Sequence, residues 1–443
     1  MASCPTSGYE LNNSDEVIVH LRSVARQRPS DIRNRHENLD GLKPSSLRDA
    51  CSSTVASGLL VSRVRNSVSE TTTPPRLRVD PRFTNRERQP GLDFLRALAI
   101  VVVVIYHSAL FGFKLPERVD RFGWIGVDLF FVLSGYLIGG QLLVPLAHGQ
   151  QINLGRFFAR RALRIIPACF VILAVYAFLP SWREYPEMSP LWKFIVSVQN
   201  IGLHGGTAFS HAWSLAVEDQ FYLLLPLVLV LVSRWPRTRF IIPCVIVLGG
   251  IMLRAFLAWQ NLTEIGVSFR GFQTWIYYPT WTRLDPLVFG VVLAAIEKFR
   301  PQWWRCLMNL APWLLLPGLA LIVCALYLGE GDYLTIAASI WQFPLIAIGM
   351  AALLICAVSP RLPLRRVALP GAAFIASIAY SAYLVQKLVI HFVAQFCSSH
   401  NIALTSASAL LGVELSVYTG ATILFLAVER PFLQLRHRLT PRT

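Results

Sequence analysis

The chain has 443 residues, 54% hydrophobic and 15% charged. Soluble domains carry roughly 25% charge, so this composition argues against a water-soluble enzyme. The formal net charge of +16 divides into +4 over residues 1–90 and +12 beyond them. In an apolar chain such an excess belongs to cytoplasmic loops and not to a nucleic-acid surface.

Residues 1–90 are rich in Ser, Thr, Arg, Asn and Pro and lack sustained apolar periodicity. They are predicted to form a disordered basic N-terminal tail. No apolar run near the start suits a signal peptide. The Arg and Ser content would suit a transit peptide, but Glu10, Asp15 and Glu16 count against one. From residue 92 onward, stretches long enough to cross a bilayer recur. The predicted spans are 92–113, 124–146, 165–180, 215–233, 240–258, 275–296, 311–328, 334–358, 372–396 and 407–428. The third is short, and 191–203 is too short to cross and reads as interfacial. The predicted fold is all-α, a polytopic bundle of about ten transmembrane helices. It occupies a membrane domain at 91–432, followed by a short cytoplasmic tail at 433–443.

Loop charge sets the orientation. With the N-terminus inside, inner loops and the C-terminal tail hold 17 Lys and Arg residues, against 6 in outer loops (Lys114, Arg118, Arg121, Arg183, Lys193 and Arg270). This is the positive-inside pattern for an even number of spans, N-in and C-in. Four basic residues remain within spans: Arg96, Arg254, Arg283 and Lys387. The eight cysteines form no CxxC and no Cys/His spacing for zinc, so neither a disulfide framework nor a metal site has sequence support.

Charges inside a bilayer cost a few kcal/mol each and therefore face a protein interior or a wet cavity. Here they are Asp93, Arg96, His107, Asp128, Glu218, Asp219, Arg254, Arg283, Asp285, Lys387 and Glu414. So many in one bundle indicate a polar cavity. The plainer reading is ion pairing between helices, for instance of Arg283 with a carboxylate. In the first span, Arg96 and His107 are separated by 11 positions. At about 100° per residue they share a face, and along the axis they lie about 16 Å apart. His107 falls past mid-membrane, where a neutral imidazole can act as a general base.

Three further blocks stand out. In 126–138, Asp128 lies near the outer end, and Ser134 and Gly135 sit mid-span, where small residues permit close helix packing. On the inner side Arg156, Arg160 and Arg164 recur at i, i+4 and i+8, with Arg161 beside them. A row of guanidinium forks suits a polyphosphate, although on spacing alone simple positive-inside anchoring is the better reading. In 211–222, His211, Ser214 and Glu218 share a helical face next to Trp213.

Taken together, these blocks resemble the acyltransferase family 3 of integral-membrane O-acyltransferases, which act on surface polysaccharides, Nod factors and macrolides. The stretches that carry the resemblance are LDFLRALAIVVVVIYH, GVDLFFVLSGYLI, RFFARRALRIIP, HAWSLAVEDQFYLL, TRLDPLVFG, AYSAYL and VERPF, in the family's order across 91–432. The resemblance implies transfer of an acyl group, usually acetyl from acyl-CoA, to a hydroxyl. It maps the family's essential Arg and His onto Arg96 and His107, and its basic motif onto Arg156, Arg160, Arg161 and Arg164. This sequence departs from the family at Phe94 (usually Gly), at Glu218-Asp219 (usually Glu-Glu), and at Gln386-Lys387, where a His is frequent.

The expected enzyme binds acyl-CoA at the Arg row with Ser134, and uses His107 with Arg96 as its catalytic pair. Asp128 or Glu218 is expected to orient the imidazole. A carbohydrate or glycolipid acceptor is expected to meet His211, Trp213, Arg283, Asp285 and Tyr383. The implied partners are the lipid bilayer of a bacterial inner membrane and no nucleic acid. The competing classes are a secondary transporter, against which stands the lack of an internal repeat, a relay enzyme acylated at Ser134, and a non-catalytic subunit of a polysaccharide machine.

Overall fold

A computed structural model describes residues 89–113, 122–234, 238–263, 266–329 and 334–440. The expected N-terminal tail and the loop residues Lys114, Arg118, Arg121 and Arg237 lie outside the described residues.

The long helices are α1 (Pro90–Leu110), α2 (Gly126–Ala147), α3 (Leu154–Phe178), α4 (Trp213–Arg234) and α5 (Thr238–Gln260), followed by α6 (Asp285–Phe299), α7 (Pro301–Leu328), α8 (Ile336–Val358), α9 (Ala372–Ser399) and α10 (Ala407–Leu424). A π-helical turn at Phe425–Glu429 joins α10 to α11 (Arg430–Leu439). One two-stranded hairpin, Leu262–Thr263 with Gly266–Val267, follows α5. Among the described residues, nine helical segments are long and apolar enough to cross a membrane, and the chain is a polytopic helical membrane bundle.

Local sequence sets the helix ends. Pro90 starts α1, where a missing N–H costs nothing, and Asp93 sits in the first turn against the positive helix end. Asn153 caps α3 by accepting the N–H of Arg156. α3 begins well before the expected start at 165, because its amphipathic, Arg-bearing first turns continue the same helix. Hydropathy detects only its apolar half. Residues 430–439 are helical, reaching into the stretch expected as a tail from 433 onward, and the Arg160 guanidinium donates to the carbonyl of Thr440 (2.8 Å).

The expected sixth span, 275–296, is not one helix. It breaks into a π turn at Gln273–Tyr277, a 3-10 turn at Thr280–Thr282, and α6 with 15 residues. At about 1.5 Å per residue α6 reaches about 22 Å, short of a hydrocarbon core of about 30 Å. Irregular backbone is tolerated at that depth only where protein covers it. Ile276, Thr280, Thr282 and Arg283 are accordingly buried. α6 lies close against α2. A Cβ added at Gly135 would come within 2.1 Å of the Leu287 carbonyl oxygen, and one at Gly290 within 2.3 Å of the Val132 carbonyl oxygen. This close approach fixes the height of Asp128 relative to Arg283. α8 is the most enclosed of the long helices, α2 and α9 follow it equally, and α9 packs along α1.

Candidate active site

The site is built where α1, the turn before α4, and the middle of α9 meet. On α1, His107 lies nine residues, or about half a rotation, from the exposed Leu98, so the imidazole faces the bundle interior. Its Nδ1 lies 3.0 Å from the carbonyl oxygen of Val103. A carbonyl only accepts, so Nδ1 carries the proton and Nε2 the lone pair. Arg96, toward the other end of α1, pairs with Asp93 (2.9 Å).

The His211 ring stands 6.0 Å from that of His107, centroid to centroid. His211 belongs to a 3-10 turn, Ser210–Ala212, that leads into α4. The preceding Phe209 has φ of 55°, in the left-handed region that bulky residues rarely enter. Its N–H donates to Glu184 (3.0 Å), and its ring stacks between Tyr176 (4.6 Å) and Phe194 (5.5 Å). These contacts hold the turn against its conformational preference. From α9, Tyr383 donates to the carbonyl of His211 (2.6 Å) and, its proton so committed, accepts from Ser214 (2.6 Å). Lys387, also buried, donates to Ser210 Oγ (2.8 Å). Lys387 and Gln386 both lie close enough to act on the His107 ring.

A second polar cluster lies nearer the Arg row. Ser134 of α2 donates to Glu218 Oε1 (2.8 Å), and Tyr222, one turn along α4, donates to Oε2 (2.5 Å). The Arg161 guanidinium stacks over the Tyr222 ring at 5.1 Å. Glu218 is nine residues, or half a rotation, from the exposed Leu227, so it also faces inward. Ser134 and Gln141 share a face of α2, and Arg161 donates to the Gln141 side chain (3.4 Å). Polar groups therefore run in steps from Arg161 through Tyr222, Glu218 and Ser134 to Ser214, Tyr383 and His211.

The third cluster is a pair of ion pairs. One terminal nitrogen of Arg283 donates to both Asp128 oxygens (3.0 and 3.1 Å), and Arg254 donates to Asp285 (2.6 Å) and to the carbonyl of Thr282 (2.7 Å). Asp128, Arg254 and Arg283 are fully enclosed. Phe343, Tyr277 and Trp213 box the Arg283 guanidinium at 3.9, 5.0 and 5.4 Å. Asp128 or Glu218 was expected to orient the imidazole. Their hydrogen bonds go to Arg283 in one case and to Ser134 and Tyr222 in the other, and the contacts on the His107 ring are the Val103 carbonyl and the Gln386 side chain.

Of the expected substrate groups, His211 and Tyr383 gather at His107. Trp213, Arg283 and Asp285 belong to the ion-pair cluster. Arg156, Arg160, Arg161 and Arg164 lie on one continuous stretch of α3. Tyr222 was not singled out from the sequence, although its i+4 spacing from Glu218 placed it on the same face. Glu184 and Phe209 carried no local signal.

The acyltransferase domain family, acyltransferase 3, matches residues 89–428. O-acetyltransferase OatA of Staphylococcus aureus (strain NCTC 8325 / PS 47) is 34% identical over 223 residues, which are 47% of this chain and 34% of that protein. Peptidoglycan O-acetyltransferase OatA of Listeria monocytogenes serovar 1/2a (strain EGD-e) is 32% identical over 251 residues, 51% of this chain and 38% of that protein. The chain thus spans little more than a third of the length of these curated relatives. No solved structure matches. With the matched segment running from the first turn of α1 to the end of α10 and enclosing all three clusters, the chain belongs to the acyltransferase 3 family of membrane acyltransferases.

Proposed function

We propose that this protein is a membrane-bound O-acyltransferase that moves an acyl group from acyl-CoA to a hydroxyl of a carbohydrate or glycolipid acceptor. The names of its relatives favour acetyl as the group and a cell-surface glycan as the acceptor. The setting is the inner membrane of a bacterium, with the Arg row facing the cytosol.

In this reading the nucleotide phosphates of acyl-CoA rest on Arg156, Arg160, Arg161 and Arg164, whose planar forks match phosphate oxygens. The pantetheine arm, with its two amides, then runs inward past Ser134, Glu218 and Tyr222. Amides need hydrogen-bond partners at that depth, and these side chains offer both donors and acceptors. The thioester reaches His107. Nε2 takes the proton of the acceptor hydroxyl as its oxygen attacks the acyl carbon. Lys387, beside the ring, offers positive charge to the oxyanion that develops. Collapse breaks the C–S bond, and the imidazolium returns the proton to the thiolate. Enclosure of the ring excludes water and so favours transfer over hydrolysis.

The observation that carries this proposal is the buried imidazole with Nδ1 against the Val103 carbonyl, which assigns the proton to Nδ1 and the basic lone pair to Nε2, on a ring that also meets the Gln386 side chain. The test is to supply labelled acetyl-CoA to the purified protein in lipid nanodiscs with a saccharide acceptor. Free thiol and labelled saccharide should appear in equal amounts. If neither forms, acyl-CoA is not the donor, whereas sugar movement across vesicles without thiol release would make the chain a transporter.

A further inference from the structure

His211 presents a second, unanswered lone pair. Its Nε2 lies 3.3 Å from the carbonyl oxygen of Leu384, which only accepts, so the proton sits on Nε2. Nδ1 is then the acceptor nitrogen. It is buried and has no hydrogen-bond partner in the protein. Gln386, on the adjoining turn of α9, lies against the His107 ring. Buried acceptors are rarely left unanswered, so the missing partner of His211 Nδ1 is a donor supplied from outside the chain. The His211 ring is not free to turn away. Phe209 and Tyr383 meet it edge-on at 5.1 and 5.6 Å, and the strained Phe209 turn and the Tyr383 hydroxyl fix its backbone.

We propose that His211 is a specificity-determining residue that reads a second hydroxyl of the acceptor, so that the preferred acceptor presents neighbouring hydroxyls, as a sugar ring does. This rests on the reading of His107 as the base. The reacting hydroxyl donates to His107 Nε2, and the adjacent one donates to His211 Nδ1. Each bond is about 2.8 Å long, a reach that two rings at 6.0 Å separation allow to hydroxyls on adjacent carbons. An alcohol with a single hydroxyl satisfies His107 and leaves the second imidazole buried and unpaired. Sites built in this way reject the analogue that lacks the group.

The test uses full-length protein in nanodiscs, labelled acetyl-CoA, and two probe acceptors at equal concentration, a methyl hexoside and 1-butanol. The wild type should favour the hexoside by about tenfold or more. His211→Phe should remove most of that preference by lowering the hexoside rate by a much larger factor than the butanol rate. His211→Asn, which retains a donor and an acceptor, should recover part of it. An equal loss on both probes, or no loss on either, overturns the proposal. Carbethoxylation mapped by mass spectrometry, without acyl donor, provides a readout independent of turnover. The hexoside should shield both His107 and His211, and butanol His107 alone. Failure of the wild type to consume acetyl-CoA would defeat the reading of function, whereas equal shielding of His211 by the two probes, or by neither, would defeat this proposal on its own.

Discussion

Removing Asp128 alone should destabilise the protein far more than removing it together with Arg283. Both groups are fully enclosed, and a single terminal nitrogen of Arg283 serves both carboxylate oxygens. In Asp128→Leu the guanidinium keeps its aromatic box, with Phe343 at 3.9 Å, a contact worth roughly 0.5–2 kcal/mol. That contact does not replace a counter-charge. Breaking one partner of a buried pair costs about 3–5 kcal/mol, because the remaining charge stays desolvated and alone. The double variant Asp128→Leu with Arg283→Met removes both charges and should recover most of that loss. Unfolding by SDS titration in mixed micelles measures each variant, and the coupling energy should be at least about 2 kcal/mol. A single variant within about 1 kcal/mol of wild type, or a double variant no more stable than Asp128→Leu, would refute the account of this cluster.

Three other outcomes follow from the geometry. Gly135→Ala places a Cβ 2.1 Å from the Leu287 carbonyl oxygen, a backbone atom that cannot turn aside, so α2 and α6 must separate. The same titration should show a loss of about 1–3 kcal/mol. Arg156→Ala with Arg160→Ala should raise the KM for acetyl-CoA several-fold with kcat little changed, and an unaltered KM would remove the phosphate role from the row. Glu218→Ala leaves Ser134 and Tyr222 without their shared acceptor. It should also raise the KM for acetyl-CoA, while Glu218→Gln, which still accepts, retains more of the wild-type value.

Much of the fold follows from hydropathy and loop charge, because a bilayer forces long apolar helices and biased loops. The inward face of α1 was legible from the 11-residue spacing of Arg96 and His107, a consequence of helical period alone. The break before α6 was signalled only locally, by Pro279, Arg283, Asp285 and Pro286 ahead of the apolar second half of 275–296, which overrode that signal. The irregular backbone is tolerated because other helices bury Thr280, Thr282 and Arg283. The sequence could name Arg283 as needing a carboxylate but not which one. Asp128 is 155 residues away, and nothing local marks it as the partner. The same limit applied to His107, whose ring meets a backbone carbonyl one turn back and the Gln386 side chain and not a distant carboxylate. The lone pair on His211 depends on which nitrogen meets Leu384, 173 residues away. Only the packing of α9 against the turn before α4 decides that.

The most direct measurement is single-turnover acyl transfer by His107→Ala in proteoliposomes loaded with labelled acetyl-CoA, with donor binding measured on the same preparation. General-base removal typically costs about 10²–10⁴-fold. The rate should fall by at least about a hundredfold while the variant inserts normally and binds acetyl-CoA with an unchanged Kd. Transfer at the wild-type rate would show that the proton leaves the acceptor hydroxyl by some other group, and the role given to the first helix would be wrong.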